Sequence, residues 1–462
     1  MARPRTVFVC QQCSAQHAKW LGRCTECGAW ESVVEETQRA VVPAAGSRTS
    51  LAVGAARGGA PQRLGDVAHE QRDRTGSGLI ELDRVLGGGL VRGSVTLLGG
   101  DPGIGKSTIA LQIGGTLAQA GARVLYVSGE ESPEQLKLRA DRLGTGLEVT
   151  VLPETCLEEI LAVADRLEPQ LIVVDSIQTV HSRELTSAAG SVAQVRECAA
   201  SLTTHAKATG RSTLLIGHVT REGSIAGPRV LEHVVDTVLY FEGDPGSGLR
   251  LLRGVKNRFG PTNEVGVFEM GEAGLSDVAN PSEILLAERP RGVPGSAVLP
   301  TVEGTRPLLV EVQALASRSV LAMPRRTTLG LDSNRTAVLS AIVDRRAGLR
   351  LFEHDLFVSV AGGVRVQEPA ADLAILAAIV SSARDVPVPP DAVFFGEVGL
   401  AGEVRAVRHA ETRLKEAAKL GFARAFLPEI TARRIEPPAG LRLVGIPAVG
   451  DLCAALADSG VS

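Results

Sequence analysis

The 462-residue chain is poor in aromatic residues and in net charge. Aromatics make up only 3% of it, with two Trp and two Tyr, so its cores are expected to consist of Val, Leu, Ile and Ala. Its 49 Lys and Arg nearly balance 52 Asp and Glu, which leaves a net charge of −3. That balance excludes a globally basic nucleic-acid binder, although it does not exclude a local basic patch.

Long hydrophobic runs are also missing. The longest, such as 171–174 and 373–380, are far shorter than the ~20 apolar residues that span a bilayer. The N-terminal residues MARPRTVFVC contain no apolar stretch of signal-peptide length. With 44% apolar residues, the sequence predicts a cytoplasmic globular protein of two to four domains, at roughly 100–200 residues per domain.

Cysteine is scarce outside one short segment. Four of the seven Cys lie within the first 27 residues, and Cys156, Cys198 and Cys453 are scattered. An odd number without a signal peptide argues against a disulfide framework. We expect the three scattered residues to be small buried apolar side chains.

The chain divides into four stretches, predicted as a Cys-rich module (1–36), a linker (37–63) and two α/β domains (64–275 and 276–462). The linker is rich in Ala, Gly, Ser and Pro and carries four Arg without an acid, so it serves as a spacer or touches a phosphate backbone. From 64 to 275, β-rich runs at 94–100, 124–130, 171–176 and 214–219 alternate with helical stretches at 106–120, 133–143 and 190–209. This alternation predicts a mostly parallel sheet with helices on both faces. After 276 we expect helices at 337–349, 373–383 and 410–420, with strands at 356–364 and 393–400.

The Cys-rich module has the spacing of a zinc ribbon. Cys10-x2-Cys13 and Cys24-x2-Cys27 form two knuckles separated by ten residues, and together they complete a tetrahedral S4 site suited to Zn²⁺. Four thiolates leave no open position, so the metal is expected to be structural and to supply folding energy. The alternative, two redox CxxC pairs, lacks a thioredoxin-like βαβ pattern around it. The spacing does not say whether the module contacts nucleic acid or protein.

A phosphate-binding loop follows the run SVTLL. The segment matches G-x-x-x-x-G-K-[ST] and opens a helical stretch, and its residues are Gly100, Asp101, Pro102, Gly103, Ile104, Gly105, Lys106, Ser107 and Thr108. Its glycines allow backbone N–H groups to point at phosphate oxygens, and the helix dipole assists them. Lys106 is expected to reach the β- and γ-phosphates of ATP, Ser107 to bind Mg²⁺, and Thr108 to contact the α-phosphate.

Two further acidic positions fit the same chemistry. Asp175 ends the apolar run LIVVD and can hold the Mg²⁺ water shell, or alternatively cap a helix. Glu130 and Glu131 follow the run VLYVS, at a strand end where a catalytic base for water belongs. We favour Glu130, because Glu131 can instead belong to the start of the next helix with Ser132.

The run LLIGHV and the segment after it supply candidate sensors and cations. His218 senses the γ-phosphate or is an ordinary core histidine. Beyond it, 220–233 is Gly-rich and carries Arg221 and Arg229. This segment fits a loop that contacts a DNA backbone, or simply a solvated surface loop.

The order of these motifs closely resembles the bacterial RadA family, also called Sms, which are RecA-like ATPases of DNA repair. Besides the zinc ribbon and the P-loop, the resemblance rests on TGSGLIELDRVLGGGL (75–90), LIVVD (171–175) and above all KNRFG (256–260). It implies a hexameric ring with ATP between subunits, in which Lys256 and Arg258 reach into the neighbour's site and also serve DNA-related activity. The K-x-R spacing agrees, because it places both cations on one side of an extended segment.

The C-terminal region resembles the protease domain of Lon, which uses a Ser–Lys dyad. The stretch that matches its nucleophile is 367–372, where Ala370 stands in place of Ser, and the Lys of the dyad aligns near Glu411. A methyl group cannot attack a carbonyl, so the resemblance implies an inactive protease fold kept for oligomerisation and DNA binding. Arg325 and Arg326 are candidate phosphate contacts, or part of a solvated basic face.

The resemblance therefore implies a DNA-dependent ATPase of recombination and the DNA-damage response. Its expected cofactors are ATP, Mg²⁺ and Zn²⁺, and its expected partners are single-stranded and branched DNA, a RecA-type recombinase and further copies of the chain. Branch migration is the expected activity. The alternatives are a nucleotide-gated adaptor that loads recombination proteins, and an ATP-dependent protease, which Ala370 opposes.

Overall fold

The structure is a computed structural model that describes residues 5–10, 16–26, 28, 30, 33–38, 73–218, 231–243, 248–320 and 323–459. It separates into two compact units, Met1–Asp277 and Val278–Ser462. Most of the predicted linker lies outside the described residues. Within them, no helix combines the length and apolar character that crossing a membrane requires.

The first unit begins with a small antiparallel sheet formed by β1 (Arg5–Cys10), β2 (Gln16–His17) and β3 (Val33–Gln38). A large α/β layer follows. Its elements are β4 (Arg74–Thr75), α1 (Ile80–Leu86), β5 (Leu90–Val91), β6 (Val95–Gly100), α2 (Lys106–Gln119), β7 (Val124–Ser128), α3 (Pro133–Leu143), β8 (Thr150–Leu152), α4 (Leu157–Leu167), β9 (Leu171–Asp175), α5 (Val192–Thr209), β10 (Ser212–His218), β11 (Thr237–Glu242), β12 (Leu249–Asn257), β13 (Val265–Gly271) and β14 (Gly274–Asp277).

Nine of the described strands, β6 to β14, form one sheet in the order β14-β13-β12-β11-β6-β10-β9-β7-β8, and β4 pairs with β5 in a separate two-stranded sheet. The strands from β11 to β8 run parallel, and β12, β13 and β14 extend the sheet in antiparallel fashion. Successive side chains alternate between two apolar cores: Leu98 packs with α1, α2 and α3, whereas Leu97 packs with α4 and α5. The predicted parallel sheet covered on both faces is therefore confirmed, and the antiparallel extension is an addition to it.

The second unit has its own sheet, in the order β17-β18-β16-β15-β19-β22-β23. Its elements are α6 (Pro281–Leu286), β15 (Ser296–Glu303), β16 (Arg306–Arg318), β17 (Arg326–Leu329), α7 (Ser333–Ala347), β18 (His354–Val360), α8 (Asp372–Arg384), β19 (Ala392–Phe394), β20 (Glu397–Val398), β21 (Val404–Arg405), α9 (Ala410–Lys419), β22 (Arg424–Pro428), α10 (Glu429–Ala432), β23 (Arg442–Ile446) and α11 (Val449–Ser459). Every residue from 372 to 381 in α8 is buried, as its apolar composition predicts.

One predicted strand is wrong. The run 393–400 is not a single strand, because it breaks between Phe394 and Glu397. β19 joins the main sheet, and β20 pairs with β21 in a separate two-stranded ribbon. The break falls at Gly396, where a Cβ would approach the Val404 and Pro428 side chains to 3.0 and 3.1 Å. Because Gly396 has no side chain, the chain has room there to cross from the main sheet to the two-stranded ribbon.

Candidate active site

The predicted phosphate loop lies at the carboxyl edge of the central sheet. Gly100 ends β6, and α2 begins at Lys106. Gly105 has a positive φ of 116°, a backbone conformation that residues with a side chain rarely adopt, and a Cβ on it would also crowd Met270 Cε at 2.6 Å. Because Gly105 has no side chain to cap α2, the first N–H groups of this helix remain available to an anion.

Lys106 is buried inside this loop. Its Nζ donates to the carbonyl oxygens of Gly100 at 2.8 Å and Asp101 at 2.9 Å. Burial lowers the pKa of Lys106, and the opposing attraction of Asp175, Glu130 and Asp101 does not fully compensate for it. The site therefore holds a partly desolvated cation, whose attraction for phosphate is stronger than it would be in water.

Asp175 ends β9, and its carboxylate is held in place by a tyrosine. The Tyr126 hydroxyl donates to Asp175 Oδ2 at 2.6 Å. Burial first, and then the charge of Asp175, raises the pKa of Tyr126 well above its ordinary value, so the phenol stays protonated and remains a donor. No sequence motif points to Tyr126, which lies on the buried strand β7 and becomes a partner of Asp175 only through strand pairing.

The two candidate bases, Glu130 and Glu131, have different neighbours. Glu130 accepts a hydrogen bond from the Ser176 hydroxyl, next to Asp175, and its charge acts on Lys106. Glu131 forms an ion pair with Arg139 of α3 instead. Of the two carboxylates, Glu130 is therefore the one that lies near both the P-loop lysine and Asp175. The following helix starts at the Ser132 cap without help from either Glu side chain.

Lys256 and Arg258 lie at the opposite edge of the same sheet. In the strand register Thr237 lies between Thr96 and Asn257, whereas Phe241 lies beside Gly100. Lys256 Nζ donates to the Val235 carbonyl at 2.8 Å and to that of Glu232. Arg258 donates to the buried carboxylate of Asp236 at 3.0 Å, beyond the amino end of β11. These cations are therefore remote from the phosphate loop of their own chain.

The KNRFG segment is attached to the end of α1. Asn257 Nδ2 donates to the Leu86 carbonyl at 3.2 Å, and its Oδ1 accepts from the Phe259 N–H at 2.9 Å. Arg74 donates to the same Leu86 carbonyl and to the Phe259 carbonyl. The asparagine between the two cations thus fixes the backbone that carries them. Sequence analysis assigned roles to Lys256 and Arg258 but missed Asn257 and Arg74.

In the Cys-rich module, Cys10 and Cys24 are buried in a small core with Val33. The His17 ring nitrogen Nε2 lies 3.4 Å from Cys24 Sγ, where it can donate to a thiolate. Two buried thiols with such a neighbour fit half of a zinc site. The other two predicted ligands, Cys13 and Cys27, lie outside the described residues.

Trp20 and Trp30 lie on the exposed surface of this module. Trp20 is 59% exposed and Trp30 is 72% exposed. The Arg23 guanidinium lies 5.6 Å from the centroid of the Trp30 ring and donates to the Gly28 carbonyl at 2.8 Å.

In the second unit, the position aligned with the protease nucleophile is sealed. Ala370 is 2% exposed. Nearby, Arg413 forms a bidentate ion pair with Glu368 and donates to the Pro300 carbonyl at 2.6 Å. Glu411, the position aligned with the dyad Lys, is exposed. The described residues around Ala370 therefore hold a structural ion pair in place of a nucleophile.

Only some of the predicted DNA contacts lie within the described residues. Arg325 and Arg326 are exposed, but the Arg326 guanidinium is engaged by the His354 and Leu351 carbonyls at 2.7 and 2.9 Å. The segment with Arg221 and Arg229 and the side chain of His218 lie outside the described residues.

A strand, a GxxxxGKS loop, a helix and an acidic residue at the end of a nearby parallel strand define a P-loop ATPase of the RecA-like class. Three family models match the chain: an AAA domain at residues 62–224, a rubredoxin metal binding domain at 8–35, and the ChlI subunit of Mg-chelatase at 313–431. They correspond to an ATPase core, a metal-binding ribbon and a Lon-like C-terminal domain.

Curated relatives align over nearly their whole length. The DNA repair protein RadA of Pseudomonas aeruginosa is 52% identical over 96% of this chain and 97% of its own. Those of Halalkalibacterium halodurans and Bacillus subtilis are each 49% identical over 98% of both chains. Among solved structures, a KaiC-like protein of Pyrococcus horikoshii aligns at 22% identity with a TM-score of 0.38, over 45% of this chain and 99% of that one. The chain belongs to the RadA family of DNA repair proteins, and it is an ATP hydrolase.

Proposed function

We propose that the chain is a ring-forming, DNA-stimulated ATPase that binds single-stranded DNA and drives branch migration of recombination intermediates. The observation that carries this proposal is the separation of Lys256 and Arg258 from the phosphate loop of their own chain. Cations at one edge of the sheet and a phosphate site at the other suit a head-to-tail ring, in which each site is completed by its neighbour.

Within one subunit, residues 100–108 hold the phosphates of ATP. Lys106 neutralises the β- and γ-phosphates, and Glu130 orients the attacking water from its position beside Ser176 and Asp175. Ser107 and Asp175 offer the oxygen ligands that Mg²⁺ prefers, and this ion would neutralise phosphate charge. Tyr126 keeps the Asp175 carboxylate in a fixed direction through its hydrogen bond.

Lys256 and Arg258 act in trans on the γ-phosphate of the adjacent subunit. The hydrogen bonds made by Asn257 and Arg74 keep the segment in position. In the same chain, Lys256 and Arg258 contact the turn 232–236, directly after the segment that carries Arg221 and Arg229. DNA bound by those arginines is therefore linked to the ATP site of the neighbour through a short stretch of chain.

The remaining parts have supporting roles. Cys10, Cys13, Cys24 and Cys27 hold a structural Zn²⁺, and the second unit is a scaffold without proteolytic activity that helps ring assembly. Arg325, and to a lesser degree Arg326, add phosphate contacts. A RecA-type recombinase is the proposed protein partner. The second candidate function, an adaptor that loads such a protein, is favoured by the exposed Trp20 and Trp30, since exposed tryptophans are common at protein interfaces.

The test is ATP hydrolysis by the wild type and by Lys106→Ala, with and without single-stranded DNA, at low and high salt. We expect stimulation by DNA that weakens with salt, as phosphate contacts require, and that disappears in the variant. Arg221→Ala with Arg229→Ala should reduce the stimulation while leaving the DNA-free rate unchanged. ATP hydrolysis indifferent to DNA in the wild type contradicts the motor and favours the adaptor.

A further inference from the structure

A buried cation lies beneath the phosphate loop, and none of the sequence motifs includes it. Arg250 is on β12 and only 6% exposed. Its Nε donates to the carbonyl oxygen of Ile104 at 3.3 Å, and its Nη1 donates to the carbonyl of the preceding Leu249 at 2.8 Å. Ile104 belongs to the phosphate loop, so a guanidinium from the antiparallel extension of the sheet binds the loop backbone directly.

The chemistry of the peptide bond gives this contact a consequence. The Ile104 carbonyl and the Gly105 N–H belong to one planar trans peptide, so the two groups point in opposite directions. A donor that holds the carbonyl on the protein side therefore turns the Gly105 N–H away from the protein interior, in the direction where a P-loop receives phosphate oxygens. A charged donor also polarises the peptide and strengthens that N–H as a donor.

Packing alone does not fix this peptide. The positive φ of Gly105 favours glycine, and a Cβ there would crowd the side chains of Met270 and Phe241. Glycine, however, has the widest range of backbone conformations of any residue. The buried Ile104 side chain anchors one end of the peptide plane, and the Arg250 hydrogen bond sets the rotation of the plane about that anchor.

We infer that Arg250 is a positioning residue for nucleotide binding, which orients the Ile104–Gly105 peptide so that its N–H faces the phosphates. The inference rests on the proposed role of residues 100–108. The P-loop amides contact the α- and β-phosphates, which ADP and ATP share. Loss of Arg250 should therefore weaken both nucleotides by the same factor. Loss of Lys106, which reaches the γ-phosphate as well, should weaken ATP more than ADP.

The experiment measures the dissociation constants of a fluorescent ADP and a fluorescent ATP for four proteins: wild type, Arg250→Gln, Arg250→Lys and Lys106→Ala. We expect Arg250→Gln to weaken both nucleotides by about 10- to 150-fold, the range of one hydrogen bond to a charged group. Arg250→Lys keeps a charged donor and should recover part of the loss. Thermal unfolding of each variant is measured in parallel and should stay close to that of the wild type.

Arg253→Gln is the matched control. Arg253 is on the same strand and lies 3.5 Å from Glu242, away from the loop carbonyl, so this variant should bind like the wild type. Wild-type nucleotide affinity in Arg250→Gln overturns the inference. The inference is also wrong if Arg250→Gln and Arg250→Lys weaken nucleotide binding equally and both lower the unfolding temperature, because that result indicates a packing role. If Lys106→Ala binds ATP normally, the proposed phosphate site itself is wrong, and this outcome is distinct from failure of Arg250 alone.

Discussion

Mixing two inactive variants tests whether each ATP site is shared between subunits. Lys106→Ala removes the lysine of the phosphate loop, and Arg258→Ala removes the cation at the other edge of the sheet. Thr237 to Phe241 spans these edges along β11, which is about 13 Å at ~3.3 Å per residue. Arg258 starts beyond that span and points to Asp236, so its side chain cannot return to the loop of its own chain.

The expected rate follows from counting interfaces in a head-to-tail ring. An interface is active when it pairs an intact loop, from an Arg258→Ala subunit, with an intact arginine, from a Lys106→Ala subunit. With equal and random mixing each condition holds half of the time, so about a quarter of the interfaces are active at any ring size. DNA-stimulated ATP hydrolysis should therefore rise from near zero for each variant to about a quarter of the wild-type rate.

The control mixes the wild type with the double variant that carries both substitutions. Shared sites again predict about a quarter of the wild-type rate, whereas sites complete within one chain predict about half. The two arms together are decisive, because sites within one chain also predict no recovery in the first mixture. No recovery there, with half-activity in the control, refutes the placement of Arg258 in the neighbour's site. Subunits that had not exchanged would give the same zero and half rates, so exchange is verified beforehand by energy transfer between differently labelled copies of the chain.

Four further outcomes are expected. Lys106→Met should raise the free energy of unfolding at about pH 7 in denaturant titrations, because burial of the charged lysine lowers its pKa and destabilises the wild type. The difference between variant and wild type should shrink toward about pH 10, where the lysine loses its proton in both the folded and the unfolded state. Arg413→Leu should destabilise the second unit by about 3 kcal/mol in urea unfolding, because it leaves Glu368 without its ion pair, and adding Glu368→Leu should recover part of that loss. Cys24→Ser should lose the zinc, about one ion per chain, that a chromogenic chelator detects in the wild type. Ala370→Ser should not degrade casein, because a hydroxyl without a base remains unreactive; casein cleavage by this variant would contradict the structural reading of the site.

Local motifs were the part of the site that sequence could predict. The phosphate loop needs glycine, lysine and serine at fixed positions after a strand, and these requirements act over eight consecutive residues, 100–107. The helix α8 was equally predictable from the sequence, because its uniform apolar composition fits complete burial. The sequence predicts 373–383, and the structure has Asp372–Arg384.

Contacts between distant parts of the chain could not be predicted. Tyr126 reaches Asp175 across 49 residues, Asn257 reaches Leu86 across 171, and Arg250 reaches Ile104 across 146. Each is an ordinary residue on a strand until the register of the sheet brings its partner near. The same reason explains why the contacts of Arg326 were not predicted. The sequence suggested that Arg326 contacts DNA, whereas in the structure its guanidinium donates to two backbone carbonyls.

The scarcity of aromatic residues gives the protein an optical property. Its only two tryptophans, Trp20 and Trp30, both belong to the N-terminal ribbon, and both are exposed. Indole emission excited selectively therefore comes from that module alone, and the ATPase core and the C-terminal unit contribute nothing to it. Stacking of a nucleobase on either ring would quench the emission, so the unlabelled protein carries its own spectroscopic reporter of whether the ribbon meets nucleic acid.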